Sequence, residues 1–68
     1  MPERLANRLK DRRAELGLTQ AELAERVGVT RKTVNTVENG VFTPSATLAI
    51  KLAQALGISV EQLFWIER

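Results

Sequence analysis

The sequence predicts an all-α domain of five short helices. Three observations carry that reading: apolar residues recur at helical spacing, serine or threonine stands before each later apolar segment, and each of the four glycines falls where a segment should stop. No strand pattern competes over residues 1–60. The 68 residues are read as one domain, 1–68, near the lower size limit at which a hydrophobic core holds without staples.

Helix 1 is expected from about Arg4 to Leu16, with Leu5, Leu9 and Leu16 on one face and Gly17 closing it. Helix 2 opens at Thr19, whose hydroxyl can cap a backbone N–H while Glu22 reaches back, and Leu18 can staple onto Leu23. It continues through Leu23, Ala24 and Val27 to Gly28. Only two residues later Thr30 offers the next cap, with Val29 and Val34 as a second staple, so helix 3 follows at a sharp angle. Helix 3 runs to about Asn39 and stops at Gly40. After the loop Val41 to Thr43, Pro44 suits the first turn of helix 4, capped by Thr43 or Ser45, with Leu48, Ala49, Leu52, Ala53 and Leu56 as its buried stripe before Gly57. Ser59 with Gln62, and Ile58 with Leu63, open a short helix 5. The tail Phe64 to Arg68 is left unplaced. Both prolines, like the glycines, stand at helix boundaries.

The chain has no cysteine and no histidine, which removes disulfides, thiolate chemistry and the usual zinc sites. A metalloenzyme or a Cys/Ser–His enzyme is not expected, and no metal, cofactor or small-molecule ligand is implied. Glu22 and Glu25 have no partner base or nucleophile, so they make no catalytic site. The basic start MPERLANRLKDRR lacks a signal-peptide core, and no segment approaches the ~20 apolar residues that span a bilayer. A cytoplasmic, nucleoid-associated protein without membrane contact is expected. Net charge is only +2, but residues 1–32 carry 8 Lys/Arg against 5 Asp/Glu while residues 33–68 carry 2 against 3. The first half is the anion-facing half.

The chemistry concentrates in Leu18 to Gly40, LTQAELAERVGVTRKTVNTVENG. Arg31 and Lys32 stand at the positive end of helix 3, where cations lose a few tenths to about 1 kcal/mol against the helix dipole, so an anion is expected to arrive there. Positions 34, 37 and 38 share one face of that helix. Arg31, Lys32, Asn35, Thr36 and Asn39 fall opposite, a donor-bearing face with no carboxylate, which suits base edges and phosphates. A merely solvated helix face would more often mix in Glu or Asp.

These residues resemble the lambda-repressor-like, or Xre/Cro-type, helix-turn-helix domains over roughly residues 5–65. The carriers are Gln20 in LTQAELAERVG, the segment VTRKTVNTVENG, the Pro44–Ser45 start of helix 4, and the closing ALGISVEQLF. The resemblance implies a compact five-helix domain, helix-turn-helix at about 19–39, that binds double-stranded DNA with helix 3 in the major groove. It assigns base reading to Arg31, Lys32, Asn35 and Thr36: guanine for either cation, adenine for Asn35, a thymine methyl for Thr36. Phosphate contacts fall to Gln20, Thr30, Thr33, Asn39, Thr43 and Ser45. The loop after helix 3 lacks the cation some relatives insert into the minor groove, so minor-groove readout is not expected, and Phe42 is expected to pack under the loop. Arg13 and Glu38 occupy core-facing slots on helices 1 and 3, and are read as an ion pair tying the two together.

The tail packs Phe64, Trp65 and Ile66 into the last five residues, more apolar surface than a short helix can turn inward. Leu63 and Phe64 are expected to close the core. A homodimer is expected through Val60, Phe64, Trp65 and Ile66, the tail extending as a short strand against its mate. The alternative is a monomer with Trp65 folded over helix 1. Three functions remain open: a stand-alone transcriptional regulator, most simply a repressor on a palindromic operator; an antitoxin that autoregulates its operon and binds a toxin; and a protein-interaction module on the same fold.

Overall fold

A computed structural model of the chain describes residues 3–68; Pro2, one of the expected helix boundaries, lies with Met1 outside them. In chain order the elements are β1 (Arg4–Asn7), α1 (Leu9–Glu15), α2 (Gln20–Val27), α3 (Arg31–Glu38), α4 (Ala46–Leu56), α5 (Val60–Leu63) and β2 (Phe64–Glu67).

Four helices start on a side-chain oxygen. Thr19, Thr30, Ser45 and Ser59 accept from the backbone N–H groups of Glu22, Thr33, Leu48 and Gln62, and the boxes at Thr19 and Ser59 are closed by the returning side chains of Glu22 and Gln62. Ser45, rather than Thr43, caps α4, and Pro44 precedes that cap instead of standing in the first turn. The Thr19 N–H donates to Glu22 Oε1 at 2.9 Å, and this bond, followed by the Thr19 hydroxyl and nearby Arg26, holds the Glu22 carboxyl below its ordinary range. The five helices close on a core in which Leu9, Leu23, Leu56 and Leu63 are completely enclosed, with Val34 and Val37 of α3 set into it. Leu63 and Phe64 close it at the far end.

The first helix is shorter than expected. Arg4–Asn7 is an antiparallel strand paired with the tail, in the register Arg4–Glu67, Leu5–Ile66, Ala6–Trp65 and Asn7–Phe64. Leu5 and Leu9 are spaced as on a helix, but the pairing with a strand some sixty residues away satisfies the backbone of Arg4–Asn7 and lets Leu5 and Phe64 cover the core from one face. The tail is a strand, as expected, and within the chain its partner is β1. An intrachain partner is already tethered beside it. Leu16 is 42% exposed at the end of α1, and Leu18 takes the core position instead. The reason is the αL turn at Gly17, after which Leu18 is the residue directed back inward.

Candidate nucleic-acid interface

The interface begins with the turn that sets α3 against α2. Gly28 stands at φ +83°, and the amides of Gly28 and Val29 both close on the Ala24 carbonyl, at 2.8 and 3.0 Å. A Cβ at Gly28 would meet nothing within 4 Å, so the backbone angle and not space demands glycine. Thr30 then starts α3 only two residues on.

The inward side of α3 is fixed by a polar cluster. Arg13 Nε donates to Glu38 Oε1 at 2.7 Å, Gln20 Nε2 donates to Glu38 Oε2 at 2.6 Å, and Arg13 Nη1 donates to the Leu18 carbonyl at 2.8 Å. The Glu38 side chain is 3% exposed and that of Arg13 15%, so a charge-assisted knot joins α1, α2 and α3 at the back of α3. Asn7 adds a link from the sheet: its Nδ2 donates to the carbonyls of Val37 and Glu38 at 3.1 and 3.4 Å, while its Oδ1 accepts from the Leu9 N–H. One side chain thus serves the start of α1 and the last turn of α3. Sequence reasoning missed Asn7, because the α3 carbonyls it holds lie thirty residues away. Arg12 makes a second distant link that carries no local signal: its Nε donates to the Leu56 carbonyl at 2.8 Å and caps α4.

The outward side is different in kind. Arg31, Lys32, Asn35 and Asn39 are exposed, and among the described residues neither cation forms an ion pair. The first turns of α2 and α5 carry Glu22 and Glu61, as the dipole favours, but that of α3 carries no acid and two cations. Asn39 Nδ2 donates to Asn35 Oδ1 at 2.8 Å, which orients the Asn35 amide and leaves its N–H groups outward. The Thr30 and Thr33 hydroxyls lie 3.0 Å apart and share one proton between them, so the other remains to donate. The Thr36 hydroxyl donates to the Thr33 carbonyl at 3.0 Å, so what Thr36 offers a ligand is mainly its methyl group.

Of the other expected phosphate ligands, Thr43 and Ser45 are exposed beyond α3, with the Ser45 hydroxyl engaged as a cap. Gln20 is half-buried with one amide N–H held by Glu38. Phe42 is not packed under its loop: it is 47% exposed beside Val41, at 78%. The amides of Val41 and Phe42 both bond the Thr36 carbonyl, at 2.9 and 3.1 Å, and the two side chains border an open cleft with Lys32, Thr33 and Thr36, Phe42 also edging the hollow lined by Leu5, Val37 and Phe64. At the far end Phe64 is 7% exposed and belongs to the core, Val60 is half-buried, and Trp65 and Ile66 are 40% and 56% exposed. The Arg8 guanidinium lies 5.9 Å from the centre of the Trp65 ring.

A helix held rigidly from behind and presenting an unpaired cationic, carboxylate-free front defines a DNA-binding helix-turn-helix protein. The chain belongs to the helix-turn-helix family, whose model matches residues 9–63, and within it to the Xre, lambda-repressor-like type. Its relatives include the uncharacterised HTH-type transcriptional regulator YgzD of Bacillus subtilis, 43% identical across 93% of this chain and 96% of the relative. Another such regulator, from Methanothermobacter thermautotrophicus, is 50% identical across 87% of each chain. Antitoxin HipB of Escherichia coli is 37% identical across 87% of this chain and 63% of its own. Among solved structures, the restriction-modification controller protein C.AhdI of Aeromonas hydrophila superposes with a TM-score of 0.77 at 38% identity, covering 81% of this chain and 83% of its own. The biofilm master regulator SinR, solved in complex with DNA, gives 0.73 at 33% identity, covering 78% and 86%.

Proposed function

We propose that this transcriptional regulator reads a palindromic operator in duplex DNA as a homodimer, with α3 in the major groove, and represses by occluding the promoter. The observation that carries the reading is the outward face of α3. Arg31 and Lys32 supply guanine contacts, Asn35 an adenine contact and Thr36 a thymine-methyl contact. Thr30, Thr33, Asn39, Thr43, Ser45 and the free amide hydrogen of Gln20 hold phosphates and set the register. SinR, of the same family and fold, is described as bound to DNA, which supports the placement.

The exposed Trp65 and Ile66, with the half-buried Val60, supply the apolar surface for the mate, and the dimer sets two recognition helices about 34 Å apart on one side of the duplex. No helix among the described residues is long and apolar enough to cross a membrane, which fits a site of action in the cytoplasm on the nucleoid. Selection of bound sequences from random duplex DNA tests the core of the reading. An enriched inverted repeat, bound with an affinity that falls steeply with salt, is expected; no enrichment, or an affinity flat with salt, contradicts it. Trp65→Ala is expected to shift the sedimenting species toward monomer.

A second reading has its own support in the likeness to antitoxin HipB: the protein autoregulates an operon while its exposed tail holds a toxin. A small toxin encoded next to its gene and co-purifying with it, lost on Trp65→Ala, favours this reading over the stand-alone repressor.

A further inference from the structure

Four helices of the chain end in the same way, at a glycine with positive φ whose following amide turns back onto the helix: Gly17, Gly28, Gly40 and Gly57. Such an ending directs the next side chain against the helix it closes, and an apolar residue occupies that position each time. Leu18 is buried, and Val29 and Ile58 are half-buried against the core. Val41 alone is directed outward, 78% exposed, with Phe42 at 47% next to it.

Where Val41 points is set by its own hydrogen bond. The Val41 and Phe42 amides clamp the loop to the Thr36 carbonyl, and the two side chains, with Lys32, Thr33 and Thr36, line an open cleft of about 310 Å³. Lys32 and Thr36 belong to the base-reading face. The cleft is therefore continuous with the surface α3 presents to the duplex; Val41, Phe42 and the Thr36 methyl, whose hydroxyl is turned to the Thr33 carbonyl, make its apolar part, and Thr33, with its hydroxyl against that of Thr30, completes the lining. The major groove offers one apolar group, the C5 methyl of thymine. Lys32 at the rim is placed to meet the adjoining phosphate or a purine edge.

We infer that Val41 and Phe42, together with the Thr36 methyl, form an apolar cleft that receives the 5-methyl group of thymine in the operator half-site. They are thereby specificity-determining residues outside the recognition helix. This rests on the DNA reading above and adds to it a base preference and two residues. It also gives the loop a use in place of the cation it lacks.

The test uses the operator recovered by selection, with each thymine replaced singly by deoxyuridine, which removes the methyl and leaves the pairing edge intact. Wild-type protein is expected to bind at least one uracil-substituted half-site about three- to ten-fold more weakly, as burial of one or two methyl-sized groups implies. Val41→Ser is expected to weaken binding to the thymine operator and to shrink that thymine-to-uracil ratio, and Phe42→Ser to do the same. Val41 is exposed enough that its variant should keep the wild-type melting temperature, which separates lost recognition from lost folding.

The inference is overturned if every uracil substitution is neutral, if the operator has no thymine in the half-site, or if Val41→Ser and Phe42→Ser retain the full ratio while Thr36→Ser abolishes it. It is likewise overturned if Val41→Ser shifts the DNA-free protein from dimer to monomer, which would make the cleft a contact between copies. Absence of salt-sensitive DNA binding by the wild-type chain is a distinct result that removes the DNA reading itself.

Discussion

The two sides of α3 differ in how their polar groups are satisfied. Behind the helix, both oxygens of Glu38 are held by Arg13 and Gln20, and the last-turn carbonyls are held by Asn7. In front, Arg31 and Lys32 are exposed without an ion pair among the described residues. The contrast teaches a division of labour within eight residues: the back has its charges and last-turn carbonyls tied to other elements, and the front leaves Arg31 and Lys32 free of ion pairs among the described residues and the Asn35 amide hydrogens without an internal partner. Binding then loses little to ordering of the backbone, because the helix is already held in place.

The largest expected effect breaks the back. Glu38→Ala should destabilise the fold by about 3–5 kcal/mol, toward the lower figure because Arg13 retains some contact with water, since it strands the guanidinium and releases Gln20. Urea or thermal melts check it. An Arg13→Met, Glu38→Leu pair should recover much of that loss, and if its DNA affinity also recovers, the charges serve only to hold the helix. On the front, Arg31→Ala should cost about 1–3 kcal/mol of operator affinity while stability moves by less than about 0.5 kcal/mol. A drop in melting temperature comparable to that of Glu38→Ala would erase the distinction between the sides.

Asn7→Ala sharpens the comparison from the sheet. It should remove about 1–2 kcal/mol of stability by freeing the α3 carbonyls and the Leu9 amide, measured by melting and by faster hydrogen exchange at the start of α1. Thr19→Ala gives the smallest effect, about 1 kcal/mol, through the lost cap of α2. Because the Glu22 carboxyl lies below its ordinary range in the fold, its contribution is present above the unfolded value and is lost as pH falls through the folded one. Between pH 7 and acid, Thr19→Ala should therefore lose less stability than wild type does.

The parts of the molecule that could be read in advance are those whose signals are local. Thr19 with Glu22, Gly28 followed by Thr30, and Ser59 with Gln62 each write a helix end within about four residues, and the structure places those ends there. The terminal sheet could not be read in this way, because the pairing of Arg4–Asn7 with Phe64–Glu67 joins the two ends of the chain while Leu5 and Leu9 mimic a helical stripe. The roles of Asn7 and Arg12 were equally hidden, since an asparagine or arginine that caps a distant helix carries no mark in its own neighbourhood. Phe42 was misread for another reason: an apolar loop residue defaults to burial, and only the hydrogen bonds to the Thr36 carbonyl direct this one outward. The ion pair of Arg13 and Glu38 was foreseeable because each charge interrupts an apolar face at helical spacing.

The central claim is that the exposed front of α3 reads base sequence. It is tested most directly by measuring wild type and Arg31→Ala on the selected operator and on an unrelated duplex at one salt concentration. The account predicts that the substitution lowers operator affinity by about ten-fold or more and affinity for the unrelated duplex far less, so that the specificity ratio collapses. An equal loss on both duplexes, or no loss on either, would contradict it.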